Sequence, residues 1–284
     1  MTTYLGKGAI SGLKKVYPRL GLQGSDIILA SYPKSGNTWI RFIWANIVSL
    51  LELNGRTVDY DFLNGEFAAE YDIHNYGSFR YNSLPRLVKT HMPYSRRRFG
   101  KNRSLYIIRN PGDVMVSFYE YRLHHRHLKQ MTGDFKSFIR EPNHGLEAWC
   151  SHVAQWLDQA TCVLTYEHLK REPFAMMKDT LAQLEITDIL DDVLDEAINR
   201  ADFSSVRQIE EHQGLDHLSR SELEDGFRFA RRGEIDQWLE YFDDEDLDYL
   251  LELLDQNGLR SRLRQWYKCY QDCIRIGEFG AASQ

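Results

Sequence analysis

The sequence predicts an α/β fold, in which a single domain has a central, mainly parallel sheet flanked by helices. Short apolar runs rich in Ile, Val and Leu alternate with longer runs in which apolar residues recur at three- and four-residue spacing. The chain has 284 residues, of which 43% are hydrophobic and 13% aromatic, and this is enough for a large core. Because no linker, compositional break or internal repeat divides the chain, one domain is expected over residues 1–284.

Four apolar runs are predicted to be buried strands, at residues 26–31, 86–90, 104–109 and 161–166. The first run leads through a polar loop into helical spacing from Thr38 to Leu53. The third is followed by Asn110 and Pro111, which are favourable as the N-cap and first residue of a helix. Further helices are predicted at "LEAWCSHVAQWL" and at residues 173–185, 189–200, 243–256 and 260–273. In such alternating chains, ligands bind beyond the carboxyl ends of the strands.

Three segments lie outside this alternation. Residues 1–25 include a basic, partly apolar stretch, expected either to pack on the domain or to contact an anionic membrane surface weakly. Residues 54–83 are aromatic and polar with weak periodicity, which is typical of either a packed insertion or part of a substrate entrance. Residues 240–284 are predicted to form a helical C-terminal region.

The net charge of −6 argues against a nucleic-acid partner, because such proteins cluster Lys and Arg to neutralise phosphates. Four cysteines are too few for a disulfide scaffold in a chain of this length. No run is apolar enough to span a bilayer, and the N-terminus has no signal-peptide core. These features predict a cytoplasmic protein.

The stretch "SYPKSGNTW", residues 31–39, has the composition of a phosphate-binding loop. Amides at the start of the following helix and the helix dipole favour an anion, and Lys34 adds a cation. A Walker A loop places its lysine directly after the last glycine and before a Ser or Thr that holds magnesium. Here Asn37 follows Gly36, which disfavours ATP or GTP. A P-loop kinase or NTPase nevertheless remains the alternative enzyme.

Two further basic elements can hold a second phosphate. Arg109 ends a predicted strand, and Ser117 lies two helical turns after Asn110. In "FARRG", Arg231 and Arg232 stand in a sequence without periodicity. The alternatives without a phosphate are that Arg109 only ends a strand and that Arg231 and Arg232 are a solvated charge pair.

The stretches "YPKSGNTW", "KTHMP", "RNPGDVMVSFY" and "FARRG" resemble, in order and spacing, motifs of cytosolic-type sulfotransferases. The resemblance covers about residues 26–238. It implies a P-loop-NTPase-like sulfotransferase architecture, with 3′-phosphoadenosine 5′-phosphosulfate (PAPS) as co-substrate and adenosine 3′,5′-bisphosphate (PAP) as product. It also implies that no metal is required.

The resemblance assigns roles where the residues match the family motifs. Contacts to the 5′-phosphosulfate are implied for Lys34, Ser35, Gly36, Asn37 and Thr38, and stacking on adenine for Trp39. Contacts to the 3′-phosphate are implied for Arg109, Ser117, Arg231, Arg232 and Gly233. Packing near the adenine is implied for Tyr166, Phe203 and Phe229. Asn37 departs from the family, where threonine is common at this position.

His91 follows the strand predicted at 86–90 and is the expected catalytic base. An acceptor hydroxyl loses its proton as it attacks sulfur, and the ordinary histidine pKa of about 6.5 suits this task. The resemblance implies that Lys34 stabilises the leaving phosphate oxygen and that Lys89 assists at the transferred group. In-line positioning and electrostatic stabilisation are then the main sources of rate acceleration.

The acceptor is not encoded in a readable motif, so a phenol, alcohol, sugar or lipid head group all fit. The basic N-terminal stretch and the tyrosine-rich insertion favour a glycan or lipid-linked hydroxyl over a small phenol. A non-catalytic nucleotide-binding or membrane-scaffold protein is a further alternative, which the presence of both Lys34 and His91 opposes. The His-rich "LHHRH" is interpreted as a solvated or dipole-complementing helix end rather than a metal site. The oligomeric state stays open.

Overall fold

The structure is a computed structural model that describes residues 21–67, 69–73, 75, 79–129, 133–213, 223–224 and 233–266. Within these residues the chain forms one α/β domain built on a five-stranded sheet. The strand order is β2-β3-β1-β4-β5, and all four pairings are parallel. The strands are β1 (Ile27–Ser31), β2 (Ala69–Glu70), β3 (Leu87–Thr90), β4 (Ser104–Ile108) and β5 (Cys162–Thr165). The predicted parallel α/β sheet is therefore confirmed.

Helices precede and follow these strands along the chain. The first seven are α1 (Asn37–Glu52), α2 (Arg96–Phe99), α3 (Pro111–Leu123), α4 (Phe135–Ile139), α5 (Leu146–Trp156), α6 (Tyr166–Arg171) and α7 (Pro173–Gln183). The remaining helices within the described residues are α8 (Asp191–Arg200), α9 (Phe203–Gln213), α10 (Asp244–Gln256) and α11 (Leu259–Trp266). Residues 267–284, which include the end of the predicted last helix, lie outside the described residues.

The central strand β1 shows why both faces of the sheet are covered. All five of its residues are buried, and their side chains alternate between the two faces. Ile27 and Leu29 belong to one hydrophobic cluster, which α1 also enters. Ile28 and Ala30 belong to a second cluster on the opposite face, with residues of α5 and α10. A continuous apolar run is the expected sequence of such a doubly buried parallel strand.

The described part of the segment 54–83 packs against this framework. A single π-helical turn at Phe62–Phe67 buries Phe62, Leu63 and Phe67. Arg41 of α1 donates a hydrogen bond of 2.8 Å from Nη2 to Oδ1 of Asn64. The sequence analysis did not predict β2, which lies in this segment, because a two-residue strand is too short to show a period.

The two ends of the sheet differ in chemistry. At the amino ends of the strands, Arg86 and Asp26 form a buried ion pair with Nη2 and Oδ2 2.6 Å apart. The carboxyl ends of β1, β3 and β4 lead into the loops that contain the predicted site residues. In the part of the chain that the structure describes, no helix has the length and apolar character needed to cross a membrane.

Candidate active site

A cleft of about 480 Å³ opens at the carboxyl ends of the central strands. Four cationic side chains line it, namely Lys34, Lys89, Arg109 and Lys170. Among the described residues that line it there is no Asp or Glu. In a chain with a net charge of −6, this local concentration of positive charge suits an anionic ligand.

The loop between β1 and α1 has an unusual backbone at two positions. Gly36 has φ +104° and Lys34 has φ 68°, both in the left-handed region. A side chain at position 36 would also collide with Tyr166, because a Cβ atom there would lie 2.7 Å from Cδ2 of that ring. Gly36 immediately precedes α1, whose N-terminus has no side-chain cap. The loop therefore presents a helix N-terminus, a favourable position for an anion, to the cleft.

Buried polar atoms without a hydrogen-bond partner are concentrated around this loop. Within the described chain there are twelve such side-chain atoms, and four of them are Ser35 Oγ, Asn37 Oδ1, Trp39 Nε1 and Arg109 Nε. Native proteins leave few such groups unpaired, so a cluster of them is a candidate ligand contact. Ser35 Oγ, Trp39 Nε1 and Arg109 Nε can each donate a hydrogen bond to an anionic ligand. Asn37 Oδ1 can only accept one and suits a polar N–H or O–H group of the same ligand.

Arg109 joins the loop to a late segment of the chain. Its guanidinium donates to the carbonyl of Lys34 at 3.2 Å and to the carbonyl of Glu234 at 3.1 Å. Its Cζ lies 4.3 Å from the ring centroid of Tyr166, and its Nη2 lies 3.8 Å from Oδ2 of Asp113. These contacts fix a mostly buried cation at the wall of the cleft.

Asp113 holds the late segment in place. Its carboxylate accepts hydrogen bonds from the backbone N–H of Asp236 at 2.9 Å and of Trp238 at 3.2 Å. Gly233 closes the cleft against Phe203, since a Cβ at position 233 would lie 2.4 Å from that ring. Trp39 and Tyr166 meet edge to face on the same side, with centroids 5.8 Å apart.

His91 follows β3 and lies against the end of β1. Its Nδ1 is 2.8 Å from the carbonyl oxygen of Ser31, which can only accept a hydrogen bond. Burial, and next the charge of Lys89, lowers the pKa of His91 to about 3, so the ring is neutral at neutral pH. A neutral ring that donates from Nδ1 carries its lone pair on Nε2.

The two lysines near His91 have different surroundings. Lys34 Nζ lies 4.7 Å from the ring centroid of Tyr121, where a cation is attracted to the face of the ring. Lys89 Nζ forms an ion pair of 2.9 Å with Oε1 of Glu70 on the adjacent strand β2. Lys89 therefore lines the cleft with its charge shared with a carboxylate.

A second cavity, of about 440 Å³, adjoins the first. Pro33 and His91 line both, so the imidazole stands at the junction. The far wall of the second cavity is formed by the segment around Asn143 and by one face of α5. Two cavities that share one neutral imidazole can hold two reactants next to the same proton acceptor.

The structure brings most of the predicted site residues together. Those that line the cleft are Lys34, Gly36, Asn37, Thr38, Trp39, Lys89, His91, Arg109, Ser117, Tyr166, Phe203 and Gly233. Ser35 is in the same loop with its side chain buried. Phe229, Arg231 and Arg232 lie outside the described residues.

The sequence analysis missed Ser31, Asp113 and Tyr121. Asp113 stands in "RNPGD", where its role depends on a segment more than 120 residues away, so no local pattern reveals it. Ser31 reaches Asn37 Nδ2 with its hydroxyl at 3.3 Å and His91 with its carbonyl, which connects the loop to the imidazole. Tyr121 stands on α3 one turn after Ser117, a spacing that places both on the same helix face.

The His-rich stretch is only partly solvated. His125 is buried, and its backbone forms a bridge with Leu223, so this histidine is not on a solvated helix end. Over the described residues, no group of three or more His, Cys, Asp or Glu side chains is arranged to hold a metal ion.

A family model described as the sulfotransferase domain matches residues 24–262. The chain belongs to the sulfotransferase family. Sulfotransferase 1B1 of Canis lupus familiaris is 28% identical over 237 residues, which cover 76% of this chain and 78% of that protein. Sulfotransferase 2A1 of Mus musculus is 25% identical over 250 residues, which cover 81% and 83%. Membership of this family argues against the P-loop kinase alternative.

Solved sulfotransferase structures have the same fold. Mouse sulfotransferase SULT7A1 complexed with PAP superposes with a TM-score of 0.64 at 19% identity, covering 96% of this chain and 99% of that chain. Retinol dehydratase in a complex with retinol and PAP gives a TM-score of 0.63 at 18% identity, covering 88% and 86%. The predicted sulfotransferase architecture is confirmed by these likenesses.

Proposed function

We propose that this sulfotransferase transfers the sulfuryl group of PAPS to a hydroxyl of an acceptor by in-line displacement. The new bond joins the acceptor oxygen to sulfur, and the bond between sulfur and the bridging phosphate oxygen breaks. The acceptor proton goes to His91, and the negative charge goes to the phosphate of the departing PAP. The two related structures that contain PAP support this choice of donor.

One observation carries the proposal. His91 donates its Nδ1 proton to the carbonyl of Ser31 at 2.8 Å, which leaves Nε2 as a base at the junction of two cavities. One cavity is cationic and begins at a helix N-terminus, as a phosphosulfate requires. The other cavity also reaches His91 and has room for a second molecule, the acceptor.

Electrostatics support the direction of proton transfer. The positive charges of Lys89 and Lys34 contribute to the lowered pKa of His91, after burial. An anionic donor bound beside these lysines offsets their charge, and this raises the proton affinity of His91 when both substrates are present. Lys34 also stabilises the negative charge that develops on the leaving oxygen, and Lys89 assists at the transferred group.

The nucleotide end of the donor is assigned to the part of the first cleft that Arg109, Ser117 and the aromatic residues line. Arg109 and Ser117 bind the 3′-phosphate, with Arg109 already oriented by two backbone carbonyls. Trp39, Tyr166 and Phe203 provide aromatic surface for the adenine. The resemblance adds Phe229, Arg231 and Arg232 to these groups, and these assignments stay predictions.

The acceptor is a molecule with a free hydroxyl. A phenol, alcohol, glycan or lipid head group all satisfy the chemistry at His91. A cytoplasmic location and a weak membrane contact of residues 1–25 stay predictions from the sequence.

Replacement of His91 tests the assignment of the base. The His91→Ala variant should lose about 10²- to 10⁴-fold in kcat, because the hydroxyl then loses its positioned proton acceptor. Its affinity for PAP, measured by calorimetry, should be nearly unchanged. His212→Ala is a matched control, since the exposed His212 also contacts a carbonyl through Nδ1, at 2.8 Å. Full turnover of a folded His91→Ala protein would show that His91 is not the base.

Replacement of Arg109 tests the donor assignment. Arg109→Ala should weaken binding of PAP about 10- to 100-fold, as expected for a lost charge-assisted contact. It should weaken binding of adenosine 5′-monophosphate much less, because that nucleotide has no 3′-phosphate. Arg140→Ala is the control, because Arg140 also lies over a tyrosine ring, at 5.0 Å from Tyr249, and pairs with Asp246. Equal losses of affinity for both nucleotides would show that Arg109 does not bind the 3′-phosphate. Tighter binding of ATP with magnesium than of PAP to the wild-type protein would contradict the assignment of PAPS as the donor.

A further inference from the structure

Most of the residues that line the second cavity have polar side chains. Of the twelve residues that line it, seven are His, Asn, Glu, Ser or Gln, whose side chains form hydrogen bonds. The remaining five are Tyr32, three prolines and Ala148, so among the described lining residues there is no Leu, Ile, Val, Met or Phe. The donor cleft differs, because Phe42, Phe118 and Phe203 contribute to its walls. The chemistry of this lining restricts the body of the molecule that it can hold.

One face of α5 supplies much of this polar wall. Glu147, Ser151 and Gln155 follow one another at four-residue intervals, which places them on a single helix face. They span two turns, or about 12 Å at 1.5 Å per residue. All three are exposed and line the cavity, so this polar face forms a solvent-accessible side of it.

The side chains of this face have hydrogen-bonding capacity beyond the contacts they make with each other. Gln155 Nε2 donates to Ser151 Oγ at 3.1 Å. The amide keeps its carbonyl oxygen as an acceptor, and the serine keeps its own proton as a donor. Asn143 donates to Glu141 at 3.3 Å and likewise keeps a carbonyl oxygen. Glu147 adds a carboxylate that accepts hydrogen bonds.

The charge of the lining opposes an anionic acceptor. No Lys or Arg is among the described lining residues, and Glu147 is the one carboxylate there. Burial lowers the pKa of His152 to about 4, so this imidazole is neutral, as is His91. His144 is the third histidine of the lining and lies 2.7 Å from Glu141. An uncharged molecule with several hydroxyls can be bound here without leaving these polar groups unpaired.

We propose that the acceptor is an uncharged polyol or sugar, with one hydroxyl at His91 and others hydrogen-bonded to the polar face of α5. This inference rests on the proposed sulfuryl transfer at His91. A flat phenol or sterol would cover Glu147, Ser151 and Gln155 with apolar surface and supply no partner for them. Such a body would bind more weakly, because polar groups that are exposed in the free protein would lose their hydrogen bonds to water on binding.

The first test compares acceptors. Transfer from labelled PAPS is measured to methyl glucoside and myo-inositol, and to 2-naphthol and a 3-hydroxysterol as apolar acceptors. The expected result is a kcat/KM at least about tenfold higher for one of the two polyols. A higher kcat/KM for 2-naphthol or the sterol than for both polyols overturns the inference.

The second test uses a matched pair of glutamine variants. Gln155→Leu should raise the KM for the polyol about three- to tenfold, the effect of one lost neutral hydrogen bond, without weakening PAP binding. Gln256→Leu is the control, since Gln256 makes a similar intrahelical bond, of 3.0 Å to Glu252, on the remote helix α10. An unchanged KM for the polyol in Gln155→Leu, or an equal rise for 2-naphthol, overturns the inference.

Binding measurements separate this inference from the proposed function. Calorimetry of PAP, followed by titration of the polyol into the PAP complex, should give saturable polyol binding that Gln155→Leu weakens. Absence of PAP binding and of transfer to every acceptor would reject the proposed function and this inference with it. Transfer to apolar acceptors without polyol binding would reject this inference alone.

Discussion

Replacing Gly36 by alanine tests how the loop and the nucleotide site depend on each other. Gly36 has φ +104°, where an L side chain costs about 1–2 kcal/mol. An added Cβ would also lie 2.7 Å from Cδ2 of Tyr166, closer than real Cβ contacts. The ring or the loop must therefore move by several tenths of an ångström.

This displacement should reach the groups assigned to the nucleotide. The Tyr166 ring lies 4.3 Å from Cζ of Arg109 and meets Trp39 with centroids 5.8 Å apart. We expect Gly36→Ala to raise the Kd of PAP at least about tenfold, which corresponds to about 1.4 kcal/mol. The measurement is calorimetric titration of PAP, together with urea unfolding to show that the variant is folded.

Gly258→Ala is the matched control for backbone strain. Gly258 has φ +62° and lies between α10 and α11, where an added Cβ would have no atom within 4 Å. This variant should lose about 1 kcal/mol of unfolding free energy without any change in PAP affinity. If Gly36→Ala is folded and binds PAP as tightly as the wild type, the contact between Gly36 and Tyr166 does not set the geometry of the site.

Two further predictions concern stability. Burial raises the pKa of Glu167 from about 4.5 to about 7. The proton bound to Glu167 therefore stabilises the folded protein fully below pH 4.5, and this stabilisation is lost as the pH rises through 7. From about pH 5 to about pH 8 the wild type should lose about 2.5 kcal/mol more unfolding free energy than Glu167→Gln, and parallel pH profiles would contradict this. Arg86→Met should cost about 3–5 kcal/mol because it leaves Asp26, whose side chain is 2% exposed, without its partner. Arg56→Met, which breaks an exposed pair, should cost less than about 1 kcal/mol, and similar losses in both variants would refute the argument from burial.

The sequence determined the elements with strong local patterns. The strand around Ile28 was predicted within one residue of its bounds, because a doubly buried parallel strand is a continuous apolar run. Asn110 and Pro111 were predicted as N-cap and first helical residue, and Asn110 accepts the N–H of Gly112 at 2.8 Å. The loop that contains Lys34 was found in the same way, because its glycine and its polar residues lie within a few positions of one another.

Only the tertiary structure decided how distant segments meet. Lys89 pairs with Glu70 on a strand too short to predict, and Arg109 contacts the carbonyl of Glu234, 125 residues away. No local pattern connects Ser151 of α5 with His91, and only the fold places both on the same cavity. Local sequence fixes which residues form a strand, helix or loop, since those depend on backbone periodicity and capping. The partners of each charge depend on contacts between segments far apart in sequence, which no local pattern encodes.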